Sequence, residues 1–234
     1  VKYISNSFFY YCGALSKITL PKALPVIEDN TFENCYSLSE IEIPDTVTSI
    51  ESYAFNECLS LTSVTLPDSL LHIGSSAFSY CSTLEEVRFN EKLAAIDDDA
   101  FYKTALTELE LPESLSGLGR DAFQCCYSLS KVYIPSNLTA IPDSCFSDCY
   151  ALSEVELAEG CKTIGSHAFD DCYVLKSITL PASLTEIKLD AFYNNKALTE
   201  VKFADNAALT TIMDSAFESC QQLLTIELPD TVET

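Results

Sequence analysis

The sequence predicts an α/β repeat solenoid, a right-handed coil with a parallel β-sheet along one face and short helical turns along the other. The first observation behind this prediction is a phenylalanine that recurs ten times along the chain. Seven of the nine intervals are 23 residues, and the other two are 22 and 25. A fixed period of roughly 20 to 50 residues is typical of solenoids and arrays. The recurring residues are Phe9, Phe32, Phe55, Phe78, Phe101, Phe123, Phe146, Phe169, Phe192 and Phe217.

The second observation is a strand pattern inside each unit, shown by residues 58–81, which read CLSLTSVTLPDSLLHIGSSAFSYC. Val64 and Leu66 are two residues apart, so both point to the same side of an extended strand. Pro67 follows them and has no backbone N–H to donate, which marks the end of strand pairing. Each unit therefore begins with one short strand whose apolar side faces the core.

The third observation is a change of period in the second half of the unit. Leu70 and Ile73 predict another short extended piece that also points inward. Phe78 and Cys81 are three residues apart, which places both on one side of a single helical turn. Strand, extended piece and helical turn then follow one another in every unit.

Stacking of these units predicts one elongated domain over residues 1–234, made of about ten 23-residue repeats. One unit cannot bury its apolar side alone, whereas stacked units share a continuous core. Parallel strands joined by crossovers are expected to coil right-handedly. Val1 and Ile4 already belong to an LxxI element, and the chain stops at LPDTVET within another unit. We therefore expect both ends to be cut from a longer array.

The net charge of −22 excludes one class of partner and predicts a structural role for many acids. There is no basic stripe to meet phosphates, so nucleic acid is excluded. No apolar run reaches the roughly 18 residues of a membrane span, so no membrane insertion is expected. Acids gather just before AFxxC, at positions predicted to be helix N-termini, where a carboxylate is stabilised by the helix dipole and by free N–H groups. They are Glu28, Asp29, Asp97, Asp98, Asp99, Asp121, Asp143, Asp190 and Asp214.

Eight of the eleven cysteines occupy one slot, three residues after the phenylalanine. Thr104 stands near this slot in the fifth unit and Asn195 in the ninth. Because Thr and Asn can hydrogen-bond a loop backbone from inside, we interpret the cysteines as buried thiols. Successive rungs lie within disulfide reach, which leaves oxidation of individual rungs open. Zinc sites require CxxC pairs with further ligands, which are absent from the sequence, and neither a metal nor a cofactor is predicted.

The sequence offers no catalytic constellation, so an enzyme is not predicted. His72 and His167 alternate outward beside core positions, and we interpret both as solvated surface residues without Ser, Cys or carboxylate partners. Gly117, Gly119 and Ala122 match the dinucleotide fingerprint GxGxxA, but no βαβ unit surrounds them. This match is therefore regarded as a false positive.

The consensus of the units, CxxLxxIxLPxxLxxIxxxAFxxC, resembles the BspA-like, Treponema-type leucine-rich repeats over the whole chain. The combination of AF, Cys and LP at this period is specific to that class. The resemblance implies a leucine-rich-repeat solenoid from a cell-surface or secreted protein, of a kind often associated with adhesion to host proteins or other cells. Departures are local: a residue is missing near Lys103, an insertion lies near Asn206, and Asn90 and Ala158 replace proline. The family shares no catalytic residues, and its members bind different partners.

Binding is expected on the strand-lined face, where outward side chains form columns across the coils. Acids in these columns are mostly kept apart on neighbouring strands, and because opposed like charges destabilise sheets, this spacing is also explained by fold maintenance. The sharper hypothesis is a partner patch in which mixed charge surrounds Tyr133, since Arg and Tyr often dominate binding energy. The patch consists of Arg88, Glu108, Glu110, Lys131, Tyr133, Glu154 and Glu156.

These observations predict a non-enzymatic protein-binding or adhesion module that engages a protein ligand through the strand-lined face. A glycan-binding array is one alternative, but it requires several exposed aromatic side chains on one face, and the strand columns show only Tyr133. A structural spacer that carries another domain is the second alternative, and the cut ends are compatible with it.

Overall fold

The computed structural model describes residues 3–233, in which nine coils each contribute two short β-strands. Coils are numbered by their phenylalanines, from coil 1 with Phe9 to coil 10 with Phe217. The first strands of coils 1–9 are β1 (Lys17–Ile18), β3 (Glu40–Ile41), β5 (Ser63–Thr65), β7 (Glu86–Arg88), β9 (Glu108–Glu110), β11 (Lys131–Ile134), β13 (Glu154–Leu157), β15 (Ser177–Leu180) and β17 (Glu200–Phe203). The second strands are β2 (Val26–Ile27), β4 (Ser49–Ile50), β6 (His72–Ile73), β8 (Ala95–Ile96), β10 (Gly117–Leu118), β12 (Ala140–Ile141), β14 (Thr163–Ile164), β16 (Glu186–Ile187) and β18 (Thr211–Ile212).

The strands form two parallel ladders, one from the first strands and one from the second strands. Equivalent residues of neighbouring coils pair with one another; Ile27, Ile50, Ile73 and Ile96, for example, lie in register. The ladder of first strands is interrupted between β7 and β9, beside the residue that is missing from coil 5, and at two other places. The predicted parallel-strand solenoid is therefore confirmed, with a second ladder beside the first.

The predicted short helical turns are wrong, because no helix occurs between residues 3 and 233. Tight turns surround each phenylalanine instead. The residues two positions before and after it have a left-handed backbone, as in Asn30 (φ 57°) and Asn34 (φ 61°) on either side of Phe32. Asn tolerates this conformation better than most residues.

Hydrogen bonding between coils explains the absence of helices. The N–H groups of Asn30, Phe32 and Asn34 donate to carbonyl groups of coil 3 over 2.8–3.0 Å. The intervening N–H groups of Thr31 and Glu33 donate to carbonyls three residues back. An α-helix would direct every amide four residues back within its own segment. Here alternate amides join one coil to the next, and they form a third line of bonds beside the strand ladders.

The acids before each phenylalanine do not lie at helix N-termini as predicted. Asp29 Oδ1 accepts a hydrogen bond from the backbone N–H of Ser52 at 3.0 Å, and Asp98 Oδ1 accepts one from Arg120 at 2.7 Å. Asp143 Oδ1 accepts in the same way from the backbone N–H of Ser166 in coil 8 at 2.9 Å. A carboxylate in one coil therefore satisfies an amide in the following coil. This structural role explains part of the negative charge.

The phenylalanine rings form one stack within the core. Their centroids lie 5.1–5.6 Å apart from Phe9 to Phe217, and neighbouring rings are within 11° of parallel. The eight rings from coil 2 to coil 9 are fully buried. Buried apolar residues from Ile4 to Cys220 belong to a single cluster around this stack. The assignment of residues 1–234 to one domain stays a prediction.

The cysteine column lies beside the phenylalanine stack. All eleven cysteines are free thiols. Cys58 Sγ donates to the carbonyl of Phe32 in the preceding coil at 3.3 Å, and the other buried cysteines of the slot repeat this bond over 3.1–3.4 Å. Asn195 substitutes its amide for the thiol and donates to the same kind of carbonyl at 2.8 Å. Burial raises the pKa of Cys81 to about 12, so its thiol stays protonated at neutral pH.

Candidate binding surface

The structure brings six of the seven predicted patch residues together on β9, β11 and β13. These strands pair in register, and their outward side chains alternate with buried apolar residues. Glu108 and Glu154 flank Lys131, and Glu110 and Glu156 flank Tyr133. Each central residue therefore has an acid on both neighbouring strands.

Lys131 is held in place by two carboxylates of β13. Its Nζ donates to Glu154 Oε1 at 2.7 Å and to Glu156 Oε1 at 2.8 Å. These bonds raise the pKa of Lys131, and the bond from Lys131 lowers the pKa of Glu156. The ammonium group therefore stays protonated and has a fixed position, and the two carboxylates balance its positive charge.

Tyr133 is also ordered, by an acid outside the predicted patch. Its hydroxyl donates to Glu113 Oε1 at 2.6 Å, and Glu113 Oε2 accepts a further bond from the Ser136 hydroxyl at 2.9 Å. The bond to Glu113 raises the pKa of Tyr133, whereas the bonds from Tyr133 and Ser136 lower the pKa of Glu113. The ring therefore has a fixed orientation on the strand-lined face. Sequence reasoning missed Glu113 because it lies in the loop after β9.

Arg88 lies apart from the other six residues. It is on β7, which is not hydrogen-bonded to β9 as a neighbouring strand. Its Nε donates to Glu86 Oε1 at 2.7 Å within the same strand, and its side chain is 76% exposed. Arg88 is therefore more exposed than Lys131, and one carboxylate holds it where two hold Lys131.

Sequence reasoning also missed two adjoining grooves on the same face. One has a volume of about 500 Å³ and lies over β1 and β3, where Lys22, Glu42 and Asp45 line it. The other has a volume of about 450 Å³ and continues over β3 and β5 as far as Asp68. The loops after the LP motifs form their walls. Because loop height cannot be read from strand columns, the grooves could not be predicted.

His72 is not the isolated surface residue that was predicted. Its Nδ1 lies 3.2 Å from Ser49 Oγ, and its Nε2 lies 2.9 Å from Asp97 Oδ2, which is the order of groups in a serine-hydrolase triad. The Ser49 hydroxyl also donates to Glu51 Oε1 at 2.5 Å, so a carboxylate competes with the imidazole for its proton. The set lies on the second-strand ladder and outside both grooves. We therefore interpret it as a link between coils.

His167 likewise contacts acids, contrary to the prediction. Its Nδ1 lies 3.2 Å from Asp170 Oδ2, and its Nε2 lies 3.6 Å from Asp190 Oδ2 in the next coil. Burial raises the pKa of Asp170. These contacts connect the turns of coils 8 and 9, so we interpret His167 as a structural link between coils.

The part of the chain that the structure describes contains no group of three or more His, Cys, Asp or Glu side chains arranged to hold a metal ion. Within residues 3–233, no helix has the length and apolar character needed to cross a bilayer.

Two parallel strand ladders on a 23-residue period, built around an apolar core, define a leucine-rich-repeat solenoid. A family model of the BspA type leucine-rich repeat region, with six copies, matches residues 2–130 and 117–234. The chain belongs to the BspA-type leucine-rich repeat family, which confirms the resemblance seen in the sequence. Comparison with curated proteins finds no match.

Solved structures of bacterial leucine-rich repeat proteins share this fold. One from Eubacterium ventriosum has a TM-score of 0.73 at 24% identity, over 93% of this chain and 61% of that chain. A leucine rich cell surface protein from Faecalibacterium prausnitzii has a TM-score of 0.56 at 27% identity, over 92% and 73%. The leucine-rich repeat protein of T. pallidum has a TM-score of 0.53 at 28% identity, over 74% and 70%.

Proposed function

We propose that the chain is a non-enzymatic binding module of a cell-surface or secreted protein and that it engages a protein ligand through its strand-lined face. Similarity to the leucine rich cell surface protein of F. prausnitzii supports the surface location. The negative charge and the lack of a basic stripe argue against nucleic acid. The observation that carries the proposal is the fixed orientation of Tyr133 among alternating charges on β9, β11 and β13.

Preorganisation is the physical reason why this patch suits a protein ligand. Glu113 orients the Tyr133 hydroxyl, and Glu154 and Glu156 orient the Lys131 ammonium before any partner arrives. A partner then does not have to order these long side chains, each of which costs roughly 0.5–1.5 kcal/mol to immobilise at an interface. Tyrosine also combines a large apolar ring with a polar tip, which suits interface centres.

A pull-down from host-cell and extracellular-matrix extracts, followed by affinity measurement with the purified partner, tests the proposal. We expect Tyr133→Ala to weaken binding about 30-fold, which corresponds to the roughly 2 kcal/mol of an interface hot spot. Arg88→Ala should weaken it as well. Thr179→Ala is the matched control, because Thr179 lies in the same outward column on β15 but outside the patch.

Two outcomes separate this proposal from its alternatives. If a partner is found and both Tyr133→Ala and Arg88→Ala bind it with unchanged affinity, the patch is not the binding site. Fold maintenance then remains as the explanation of its charges. Absence of any protein partner would favour the structural spacer. Thermal unfolding of each variant shows whether a loss of binding comes from a loss of fold.

A further inference from the structure

The groove over β3 and β5 is lined by acids and by no basic residue. Its volume of about 450 Å³ lies within the roughly 300–1,000 Å³ of pockets that accept ligands. The lining lies wholly within the described residues and contains four acids but no lysine, arginine or histidine. The acids are Glu40, Glu42, Asp45 and Asp68. We call this surface the acidic groove.

Three of these four carboxylates are not used to stabilise the fold. Glu40 is used, because it forms an ion pair with Lys17 at 2.5 Å. The carboxylates of Glu42, Asp45 and Asp68 are exposed and form neither an ion pair nor a hydrogen bond within residues 3–233. Three uncompensated negative charges therefore border one groove.

An equivalent acid in another coil shows what this loop position does when it serves the fold. Glu159 follows the proline position of coil 7, as Asp45 and Asp68 do in coils 2 and 3. Its carboxylate accepts hydrogen bonds from the backbone N–H groups of Ala182 and Ser183 in the next coil, at 2.9 and 3.1 Å. Aspartate is one methylene shorter, and the two aspartates make no bond of this kind in the described chain. Their charges therefore stay available to a partner.

The groove forms at this place because small side chains flank Glu42 and the strand ladder is interrupted. Thr19 and Thr65 occupy the equivalent outward position in coils 1 and 3, whereas Tyr133 occupies it in coil 6. In addition, β3 is hydrogen-bonded to β1 but not to β5 as a neighbouring strand. The space over Glu42 is therefore not filled by a large neighbouring side chain.

We propose that the acidic groove binds a basic segment of a protein ligand and seats one of its arginine side chains against Glu42, Asp45 and Asp68. A guanidinium group has five N–H donors in a plane and is more weakly hydrated than an ammonium group, so it suits several carboxylates at once. This inference rests on the proposed binding of protein through the strand-lined face, and it adds a second contact region with a stated chemistry.

The lining favours arginine over other occupants. An acidic segment would meet like charge, and an apolar side chain would cover the carboxylates without giving them donors. The described residues contain no set of ligands arranged for a metal ion. Arginine brings donors at its tip and an apolar stem, and Ile41 and Leu66 also line the groove and offer apolar surface to that stem.

The adjoining groove fixes where the arginine is expected. Lys17 and Lys22 line the groove over β1 and β3 but not the acidic groove. A basic side chain over β1 would meet the like charge of Lys22. The arginine is therefore expected over β3 and β5, and a probe with a single arginine is sufficient.

NMR titration of the ¹⁵N-labelled chain with the acetylated and amidated pentapeptide Ser-Val-Arg-Val-Ser tests the proposal. The titration is carried out at about 0.05 M salt, where charge interactions are screened little. The groove variant combines Glu42→Gln, Asp45→Asn and Asp68→Asn. The matched control combines Glu91→Gln, Asp205→Asn and Asp230→Asn. The control makes the same change in net charge at exposed residues that follow the proline position of coils 4, 9 and 10 and line neither groove.

A second variant, Thr65→Tyr, tests the groove without changing any charge. It places a ring at the outward position that Tyr133 occupies in coil 6, and so it fills the space beside Glu42. Thr179→Tyr is its control, because Thr179 lies in the same outward column on β15 and lines neither groove. Thermal unfolding shows whether each variant is folded.

We expect the arginine peptide to bind the native chain and its affinity to fall at least about tenfold in the groove variant and in Thr65→Tyr. Both control variants and Tyr133→Ala should bind the peptide like the native chain. The peptide Ser-Val-Glu-Val-Ser should not bind.

The proposal is overturned if the arginine peptide does not bind, or if the glutamate peptide binds equally well. It is also overturned if the groove variant and its control weaken binding equally, since binding would then follow net charge alone. A folded Thr65→Tyr that binds like the native chain has the same consequence. Should Thr65→Tyr fail to fold, the groove variant and its control decide.

Failure of this inference can be distinguished from failure of the proposed function. If Tyr133→Ala weakens binding of the peptide and the groove variant does not, the peptide binds at the patch around Tyr133. The acidic groove is then refuted, whereas protein binding through the strand-lined face still stands. Conversely, a natural partner that is insensitive to Tyr133→Ala refutes the patch and leaves the peptide result for the groove unchanged.

Discussion

Replacing Phe146 with alanine removes one ring from the middle of the phenylalanine stack and leaves the backbone hydrogen bonds of coil 7 in place. Phe146 is fully buried, and its ring centroid lies 5.6 Å from that of Phe123 and 5.4 Å from that of Phe169. Truncation of a buried phenylalanine to alanine costs about 3–5 kcal/mol. Because the ring also stacks on both neighbours, we expect the upper half of that range, about 4–5 kcal/mol of unfolding free energy.

Equilibrium unfolding in urea measures this cost, and tyrosine fluorescence can follow it because the chain has 12 tyrosines and no tryptophan. Phe217→Ala is the matched control. Phe217 is partly buried, and its ring stacks on Phe192 at 5.2 Å. We expect roughly half the cost, about 2 kcal/mol, at this position. Equal costs at both positions, or a cost below about 2 kcal/mol for Phe146, would refute the argument that the stack supplies stability in proportion to its burial.

Two further predictions concern the cysteine column. Burial raises the pKa of Cys35 to about 11 and that of Cys81 to about 12, from an ordinary 9.0. The unfolded chain therefore loses these thiol protons at a lower pH than the folded chain does. The stability contributed by the protonated thiols is complete below about pH 9 and is lost as the pH rises toward 12. Urea midpoints measured across this range should fall, and a constant midpoint would contradict the burial of these thiols. Asn195→Cys should raise the unfolding free energy by about 1–2 kcal/mol, because the buried Asn195 Oδ1 has no hydrogen-bond partner among the described residues. Asn195→Ala, which also removes the donor, should show no such gain in the same assay.

The stacking of equivalent residues could be predicted from the sequence because parallel pairing of coils of nearly equal length leaves little choice of register. Once Val64 and Leu66 are assigned to an inward strand face, their counterparts 23 residues away must lie above and below them. The phenylalanine stack and the cysteine column follow from the same argument. For the same reason, the outward position of Tyr133 between Glu110 and Glu156 could be predicted from the sequence.

The turns could not be assigned because the spacing of Phe32 and Cys35 suits a helical turn as well as two successive tight turns. The two structures differ in the acceptors of alternate backbone N–H groups. These acceptors are carbonyl groups of the next coil, which the sequence of a single unit does not reveal. A signal was nevertheless present, since Asn30 and Asn34 stand at the two positions that need a left-handed backbone. Glu57 has the same conformation, so residue type alone identifies only some of these turns.

The surfaces were harder to predict because their details depend on loops and on more than one column. Glu113 orients Tyr133 from a loop, and the grooves over β1, β3 and β5 depend on loop height. The spacing of Tyr127, Tyr150 and Tyr173 could be read from the sequence. Their stacking could not be predicted from the spacing alone, because it depends on how the cysteine column aligns consecutive coils.

The candidate patch on β9, β11 and β13 borders the irregular part of coil 5, the coil that is one residue short. Regular coils repeat the same surface, so a unique site needs a departure from the repeat. The missing residue lies beside the interruption of the strand ladder between Arg88 and Glu108. A local irregularity therefore distinguishes this part of the strand-lined face, while the phenylalanine stack through coil 5 continues unbroken.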